Sequence, residues 1–203
     1  MNLNKIIGLN GKRIILASSS PRRKALFQLV GFEFDVIASE FDESDEEYAI
    51  PEVHVLELAR KKAIKVAESI EDGIIVGADT IVVLNNEIIG KPDNAEHARL
   101  MLKKLSGRTH IVYTGYAIVE KPTFKCINEY EKTSVTFRDL SENEIDDYIK
   151  TGSPLDKAGA YGIQDQGAVF VKKVDGCFYN VMGFPISHFY ISLREFLKQL
   201  NIN

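Results

Sequence analysis

The run Arg13 to Ala17 (RIILA) passes without a spacer into Ser18-Ser19-Ser20-Pro21, and this junction constrains the fold more than any other stretch. A short apolar run bounded by turn residues reads as a buried strand. A serine can cap the first free N–H groups of a helix, and proline suits the first helical position, where no N–H donor is needed. Ala25, Leu26, Leu29 and Val30 then form an apolar stripe at helical spacing, ended by Gly31. A strand leading straight into a helix points to a sheet with helices packed on it.

The rest of the chain continues in that manner. Phe34 to Ala38 reads as a second strand and Phe41 to Glu47 (FDESDEE) as an acidic loop. A long helix is predicted over Pro51 to Ile70, with Val55, Leu58, Ala59, Lys62, Ala63, Val66 and Ile70 on its inward face. Lys62 is the odd member of that stripe. Gly73 to Ala78 is a buried strand ending at Asp79, Thr80 to Leu84 continues extended, and Asn85-Asn86 should turn a hairpin into Glu87 to Gly90. Asp93 can cap a helix to Leu105 that puts Ala95, Ala98, Leu102 and Leu105 inside. Thr109 to Val119 and Lys125 to Arg138 read as longer strands. Ser141 and Glu144 form a capping box for a helix to Lys150. Thr151 to Gly167 reads as a long Gly-rich loop, Ala168 to Val174 as a last strand, and Ile186 to Leu200 as a final helix with one wide apolar face. The pattern predicts a mixed α/β fold, an elongated sheet with flanking helices, in a single domain spanning residues 1–203. Periodicity leaves a two-lobed shape open.

Composition narrows the function. A net charge of -4 over 203 residues is not built to coat a nucleic acid polymer, though a local basic cluster can still bind a small polyanion. Cys126 and Cys177 are the two cysteines and lie far apart, so neither a disulfide framework nor a zinc site is indicated. No apolar run approaches a membrane span, and Met1 to Arg13 lacks the apolar core of a signal peptide. The expectation is a cytoplasmic protein. The chain has no GxxxxGK[ST] loop, no GxGxxG after a strand, no GxSxG elbow, and no metal-ligand spacing among His54, His97, His110 and His188.

Five groups could carry chemistry, each with a plainer reading beside it. Ser18 to Lys24 (SSSPRRK) joins a helix N-terminus to hydroxyls and the guanidinium groups of Arg22 and Arg23, which suits phosphate oxygens. It could equally be a capped surface helix. Asp79, at a strand end, could ligate a cation or take a proton from water, or simply cap the next turn. Asp42 and Glu43 could meet Asp79 around a hard cation, while Asp45, Glu46 and Glu47 read as solvated. Lys62 and Lys91 gain weight only if they converge with the arginines on one polyphosphate. Leu155 to Gln164 (LDKAGAYGIQ) lets backbone approach a ligand, with Gln164 offering a donor and an acceptor to a base edge. Otherwise it is a Gly-rich connection.

In their order, the stretches LASSSPRRKAL, SEFDE, LARKKA, GADTIV, GKP, LSGRTHIVYTG and LDKAGAYGIQ resemble the Maf family of nucleotide pyrophosphatases from Leu16 to Gln164. The resemblance implies two α/β lobes around a deep cleft and hydrolysis between the α- and β-phosphates of a nucleoside triphosphate. It assigns Ser18, Arg22 and Arg23 to phosphate binding, Glu43 to the loop carboxylate, Lys62 and Lys91 to two cleft lysines, and Asp79 to the general base. Arg22, Thr80 and Gln164 fall where the family sets substrate choice, in a pattern similar to members acting on dTTP and UTP. Thymine and uracil share a carbonyl, N–H, carbonyl edge that a glutamine amide can match and cytosine cannot. A divalent cation, Mg²⁺ or Mn²⁺ on Asp79 and Glu43, is implied as cofactor. The expected partner is the triphosphate itself, with no nucleic acid polymer and no membrane, and a homodimer is left open. The family's link to septum formation leaves a second expectation, a nucleotide-binding regulator without essential turnover. A relative of the inosine-triphosphate pyrophosphatases ranks lower, because its opening motif differs from SSSPRR.

Overall fold

A computed structural model of the chain describes residues 3–9, 11–43, 46 and 48–200. Asp45 and Glu47, read above as solvated, lie outside the described residues. In chain order the elements are α1 (Leu3–Ile6), β1 (Ile14–Leu16), α2 (Pro21–Val30), β2 (Phe34–Val36), α3 (Pro51–Ala67), β3 (Gly73–Leu84) and β4 (Glu87–Ile89). There follow α4 (Ala95–Leu105), β5 (Thr109–Lys121), β6 (Cys126–Phe137), α5 (Glu142–Lys150), β7 (Val171–Asp175), α6 (Phe178–Val181) and α7 (Ile186–Gln199). Short 3-10 turns at Ser153–Asp156, Ala158–Ala160 and Gln166–Phe170 lie between α5 and β7.

Among the described residues the strands form a seven-stranded mixed sheet in the order β2-β1-β3-β5-β6-β7, with β4 on β3. β1 runs parallel to both neighbours, with Ile15 opposite Asp35 on one side and Ile75 on the other. β4 pairs antiparallel with β3, and β7 with β6. Asn85 and Asn86 turn the β3–β4 hairpin in the left-handed region, at φ 52° and 65°. Asparagine tolerates that conformation, and two such residues in succession match the twist of a tight hairpin. β3 is buried along almost its whole length, as a strand covered on both faces must be.

The chain divides into two compact units. The first comprises Met1–Asp79, Thr114–Glu131 and Gly183–Asn203. Its core packs Ala59, Ala63 and Val66 of α3 against Ile15, Ile75, Ala117 and Val119 of the strands. A phenylalanine cluster supports α2: the Phe27 ring lies 5.2 Å from Phe34, 5.1 Å from Phe184 and 5.4 Å from Phe189. Phe27 and Phe189 are fully buried, and each contributes about 1.5–3 kcal/mol by leaving water. The second unit comprises Thr80–Tyr113 and Lys132–Met182. Its core joins Val82 and Leu84 to Leu102, Leu105, Phe137, Ile145, Tyr148, Tyr161, Ile163 and Phe170.

Several local expectations are corrected. No serine side chain caps α2. Ser20 occupies the cap position without a side-chain bond, and the Ser18 hydroxyl instead accepts from the Ser20 N–H and from Arg23. Leu29 and Ala25 are exposed, because α2 turns Leu26 and Phe27 toward the phenylalanine cluster. Asn94, not Asp93, caps α4: its Oδ1 accepts the His97 N–H at 2.9 Å, and Ala95 is left exposed. Asp79 is in mid-strand rather than at a strand end, because β3 runs unbroken to Leu84. The last strand starts at Val171, since Asp165 caps a 3-10 turn over Gln166–Phe170 by accepting the Gly167 N–H. Glu46 is not a freely solvated acid: it accepts from Lys61 and from Tyr48. The capping box forms as predicted, with Glu144 also bound to Arg138.

Candidate active site

In the first unit, α3 and β3 bring Lys62 to Asp79. Leu58, Ala59, Ala63 and Val66 bury the helix face on which Lys62 lies, so the lysine is carried inward with them. Its ammonium donates to Asp79 Oδ1 at 2.7 Å and lies 2.9 Å from Glu43 Oε1. Asp79 is 7% exposed and Lys62 9%, so neither charge can be satisfied mainly by water. Burial makes such a pair costly to break, because removing one partner strands the other. The odd residue of the apolar stripe is therefore the counter-ion of the strand aspartate.

The other Asp79 oxygen is differently placed. Oδ2 is buried and has no hydrogen-bond partner, and His54 Nε2 stands 3.9 Å from it. His54 Nδ1 is also buried without a hydrogen bond, and its ring meets Tyr48 edge-on at 5.9 Å. His54 was not singled out from the sequence. The available signal was its position two helical turns before Lys62, which puts both on one side of α3. A buried acceptor oxygen with no donor from the chain is placed to take a proton or a cation.

The start of α2 supplies cationic groups. Arg23 donates from Nη1 to the Ala78 carbonyl at 3.0 Å and to Ser18 Oγ at 3.2 Å, and from Nε to the Gly183 carbonyl at 2.9 Å. Ala78 adjoins Asp79, so this guanidinium ties the helix start to the strand that carries the acid. Burial pushes Arg23 below its ordinary value, Asp79 and Glu43 pull it back up, and the neighbouring charge of Arg22 pushes it down. Crowding two guanidinium groups beside a helix N-terminus is electrostatically unfavourable until an anion arrives, and it is how phosphate sites are built. Arg22 is half-buried on the first turn of the same helix, and Ser18 is buried. Ser18, Arg22, Arg23, Glu43, Lys62 and Asp79 all belong to the first unit.

Thr80, Lys91 and Gln164 belong to the second unit. Thr80 is half-buried and follows Asp79 directly in β3. Lys91 and Gln164 are exposed. The Gly159 N–H donates to the Gly90 carbonyl at 2.9 Å, which fixes the Gly90-Lys91-Pro92 turn to the loop that ends in Gln164. Gly159 has φ 69°, and a Cβ there would lie 2.9 Å from Val82 Cγ2. The glycine of that loop is thus required by packing within the unit.

Among the described residues no group of three or more His, Cys, Asp or Glu side chains is placed to hold a metal ion. No described helix is long and apolar enough to cross a membrane.

The model of the family described as Maf-like protein matches residues 13–196. A dTTP/UTP pyrophosphatase of Bacillus cereus (strain ATCC 10987 / NRS 248) is 50% identical over 196 residues, covering 97% of this chain and 94% of its own. A dTTP/UTP pyrophosphatase of Bacillus anthracis is 50% identical over 192 residues, covering 95% of this chain and 97% of its own. Among solved structures, a HAM1 protein from Coxiella burnetii matches with a TM-score of 0.50 at 14% identity, over 91% of this chain and 99% of that one. This last likeness concerns the fold.

Proposed function

Because the chain belongs to the Maf family, we propose that it hydrolyses dTTP and UTP to the monophosphate and pyrophosphate, in a cytoplasmic house-cleaning role. The observation that carries this reading is the Asp79 carboxylate, buried, with Lys62 on one oxygen and no hydrogen bond on the other. A carboxylate so placed can accept a proton from a water bound at Oδ2. The water oxygen then forms a bond to the α-phosphorus, the bond from that phosphorus to the bridging oxygen breaks, and pyrophosphate leaves with the electron pair. Asp79 takes the water's proton. Arg22, Arg23, Ser18 and the N-terminal N–H groups of α2 bind phosphate oxygens, on which negative charge accumulates. Lys62 keeps Asp79 in place while that charge develops. Lys91, Thr80 and Gln164 are assigned to the substrate, with Gln164 reading the base edge.

A divalent cation, Mg²⁺ or Mn²⁺, fits the donors present. Asp79 and Glu43 supply two carboxylates, one with a buried oxygen lacking a hydrogen bond. Two carboxylates completed by substrate phosphates form a common oxygen set for such ions. When bound, the ion would withdraw charge from the phosphate oxygens.

The test is product analysis on purified protein with dTTP, UTP, CTP, ITP and methylated GTP. Monophosphate and pyrophosphate, formed fastest from dTTP and UTP, are expected. A diphosphate as first product would overturn the cleavage site. Nucleotide binding without pyrophosphate release would favour the regulator of septum formation instead.

A further inference from the structure

The stretch between α5 and β7 contains no long helix or strand, yet it is anchored as firmly as a core element. Asp165 is its centre. Its Oδ1 accepts from the Tyr148 hydroxyl at 3.0 Å and from the Gly167 N–H at 2.8 Å. Its Oδ2 accepts from the Ser153 hydroxyl at 2.8 Å and lies 3.4 Å from the Lys157 ammonium. Lys157 is only 8% exposed and donates further to the Ser153 carbonyl and to Asp156. The Tyr148 oxygen also accepts the Gly162 N–H at 3.1 Å. Burial raises the Tyr148 phenol to about 12, so it stays a donor at any physiological pH.

These bonds close around two exposed residues, Gln164 and Gln166, of which Gln164 is the one assigned to the base. Gln164 stands between Ile163, which is 6% exposed and packs in the core of the second unit, and Asp165. Both neighbours are fixed, while the Gln164 side chain is exposed. The crowding is tight as well: a Cβ on Gly167 would lie 2.8 Å from the Gly162 carbonyl oxygen and 3.0 Å from the Tyr148 hydroxyl. A connection that merely links a helix to a strand has no need of a carboxylate with four donors around it. A loop that must present one amide at a set angle does, because the order needed for recognition is then built in before binding.

We propose that Tyr148, Asp165 and Lys157 form a positioning clamp for Gln164, and that the clamp, not Gln164 alone, sets the selectivity for the thymine and uracil edge. This rests on the assignment of Gln164 to the base. The three clamp residues are positioning residues: they act on the substrate only through the loop.

The experiment compares kcat/KM for dTTP and for CTP in the wild type, Tyr148→Phe, Asp165→Asn, Gln164→Ala and the double variant Tyr148→Phe/Gln164→Ala. Thermal unfolding is followed for each. Tyr148→Phe should lower the dTTP-to-CTP ratio by roughly tenfold, the scale of one misplaced polar contact in a specificity site. Asp165→Asn should do the same, and it decides the question if Tyr148→Phe does not fold. In the double variant the ratio should match Gln164→Ala alone, because the clamp has nothing left to position. If the clamp variants lose activity on both nucleotides by one factor, with an unchanged ratio, the clamp is structural only and the inference fails. A multiplicative loss in the double variant also overturns it. If Gln164→Ala itself leaves the ratio unchanged, the base assignment fails and the clamp proposal falls with it. A relaxed Gln164→Ala beside unrelaxed clamp variants sinks the clamp alone.

Discussion

Gly77 of β3 and Ala63 of α3 meet at backbone distance: a Cβ on Gly77 would lie 2.7 Å from the Ala63 nitrogen and 2.9 Å from its Cβ, and nearer still to the Ala59 carbonyl oxygen. Gly77 and Asp79 are two residues apart on one strand and so face the same side of the sheet. The absent side chain at 77 therefore lets α3 settle close enough for Lys62 to reach Asp79.

Gly77→Ala should accordingly damage stability and catalysis together. Overpacking of this kind costs about 1–3 kcal/mol, and a helix pushed outward takes Lys62 with it. Thermal unfolding and kcat measured on one preparation check this. A protein with wild-type melting temperature and wild-type rate would show that the contact does not govern the site.

Asp79→Asn should still fold, because Glu43 remains 2.9 Å from the Lys62 ammonium, and it should lose at least about a hundredfold in turnover, the usual size of a general-base contribution. Lys62→Met should instead lower stability, by about 3 kcal/mol, because it strands the Asp79 carboxylate in a buried site. Combining the two should restore the melting temperature without restoring activity. Wild-type turnover in folded Asp79→Asn removes that residue from the mechanism, and a double variant no more stable than Lys62→Met removes the charge argument.

Chelation tests the cation. Excess EDTA should abolish turnover, and added Mg²⁺ or Mn²⁺ should restore it. Glu43→Gln should raise the cation concentration needed for half-maximal rate. Full activity in EDTA would mean that the arginines and lysines suffice alone.

His110 gives the fold an acid-side weakness distinct from the chemistry. It is 1% exposed, its Nε2 lies 2.8 Å from the Tyr161 hydroxyl, and burial lowers the imidazole to about 4. The unfolded imidazole titrates near its ordinary value of about 6.5. Between those values the unfolded chain binds a proton that the folded chain refuses, so stability falls as pH drops through the window, by up to about 3 kcal/mol. His110→Phe removes the titration, and its melting temperature should decline less between pH 7 and pH 4.5 than that of the wild type. Parallel declines in the two proteins would place the acid sensitivity elsewhere.

Much of the fold was legible because single physical rules acted alone. The α3 stripe held from Val55 to Val66, although the helix ends at Ala67 and leaves Ile70 beyond it, and the one residue that broke the stripe, Lys62, proved to be the partner of Asp79. The Asn85-Asn86 turn and the Ser141–Glu144 box carry their geometry in local residue types. Reading failed where tertiary contacts outvoted local signals. Leu29 satisfies helical spacing, but Phe184 and Phe189 draw Phe27 inward and leave Leu29 exposed. His54 was missed because its relevance lies in 3.9 Å to a residue 25 positions away, and its place on the Lys62 side of α3 does not by itself point to Asp79. The clamp around Asp165 was hidden for the same reason: Tyr148, Ser153 and Lys157 share no spacing that a template would catch.

The interleaving of the two units has a consequence for synthesis. The first unit draws on Met1–Asp79, on Thr114–Glu131 and on Gly183–Asn203, with the whole of the second unit's sequence threaded between those segments. Phe184 and Phe189, which close around Phe27, follow every residue of the second unit in the chain. A ribosome releases residues in order, so helix α2 emerges early and waits for α7 before its apolar face is covered. The second unit has all its residues at hand first. Nascent chains should therefore pass through a stage in which Phe27 is open to chaperones while the loop around Asp165 is already set.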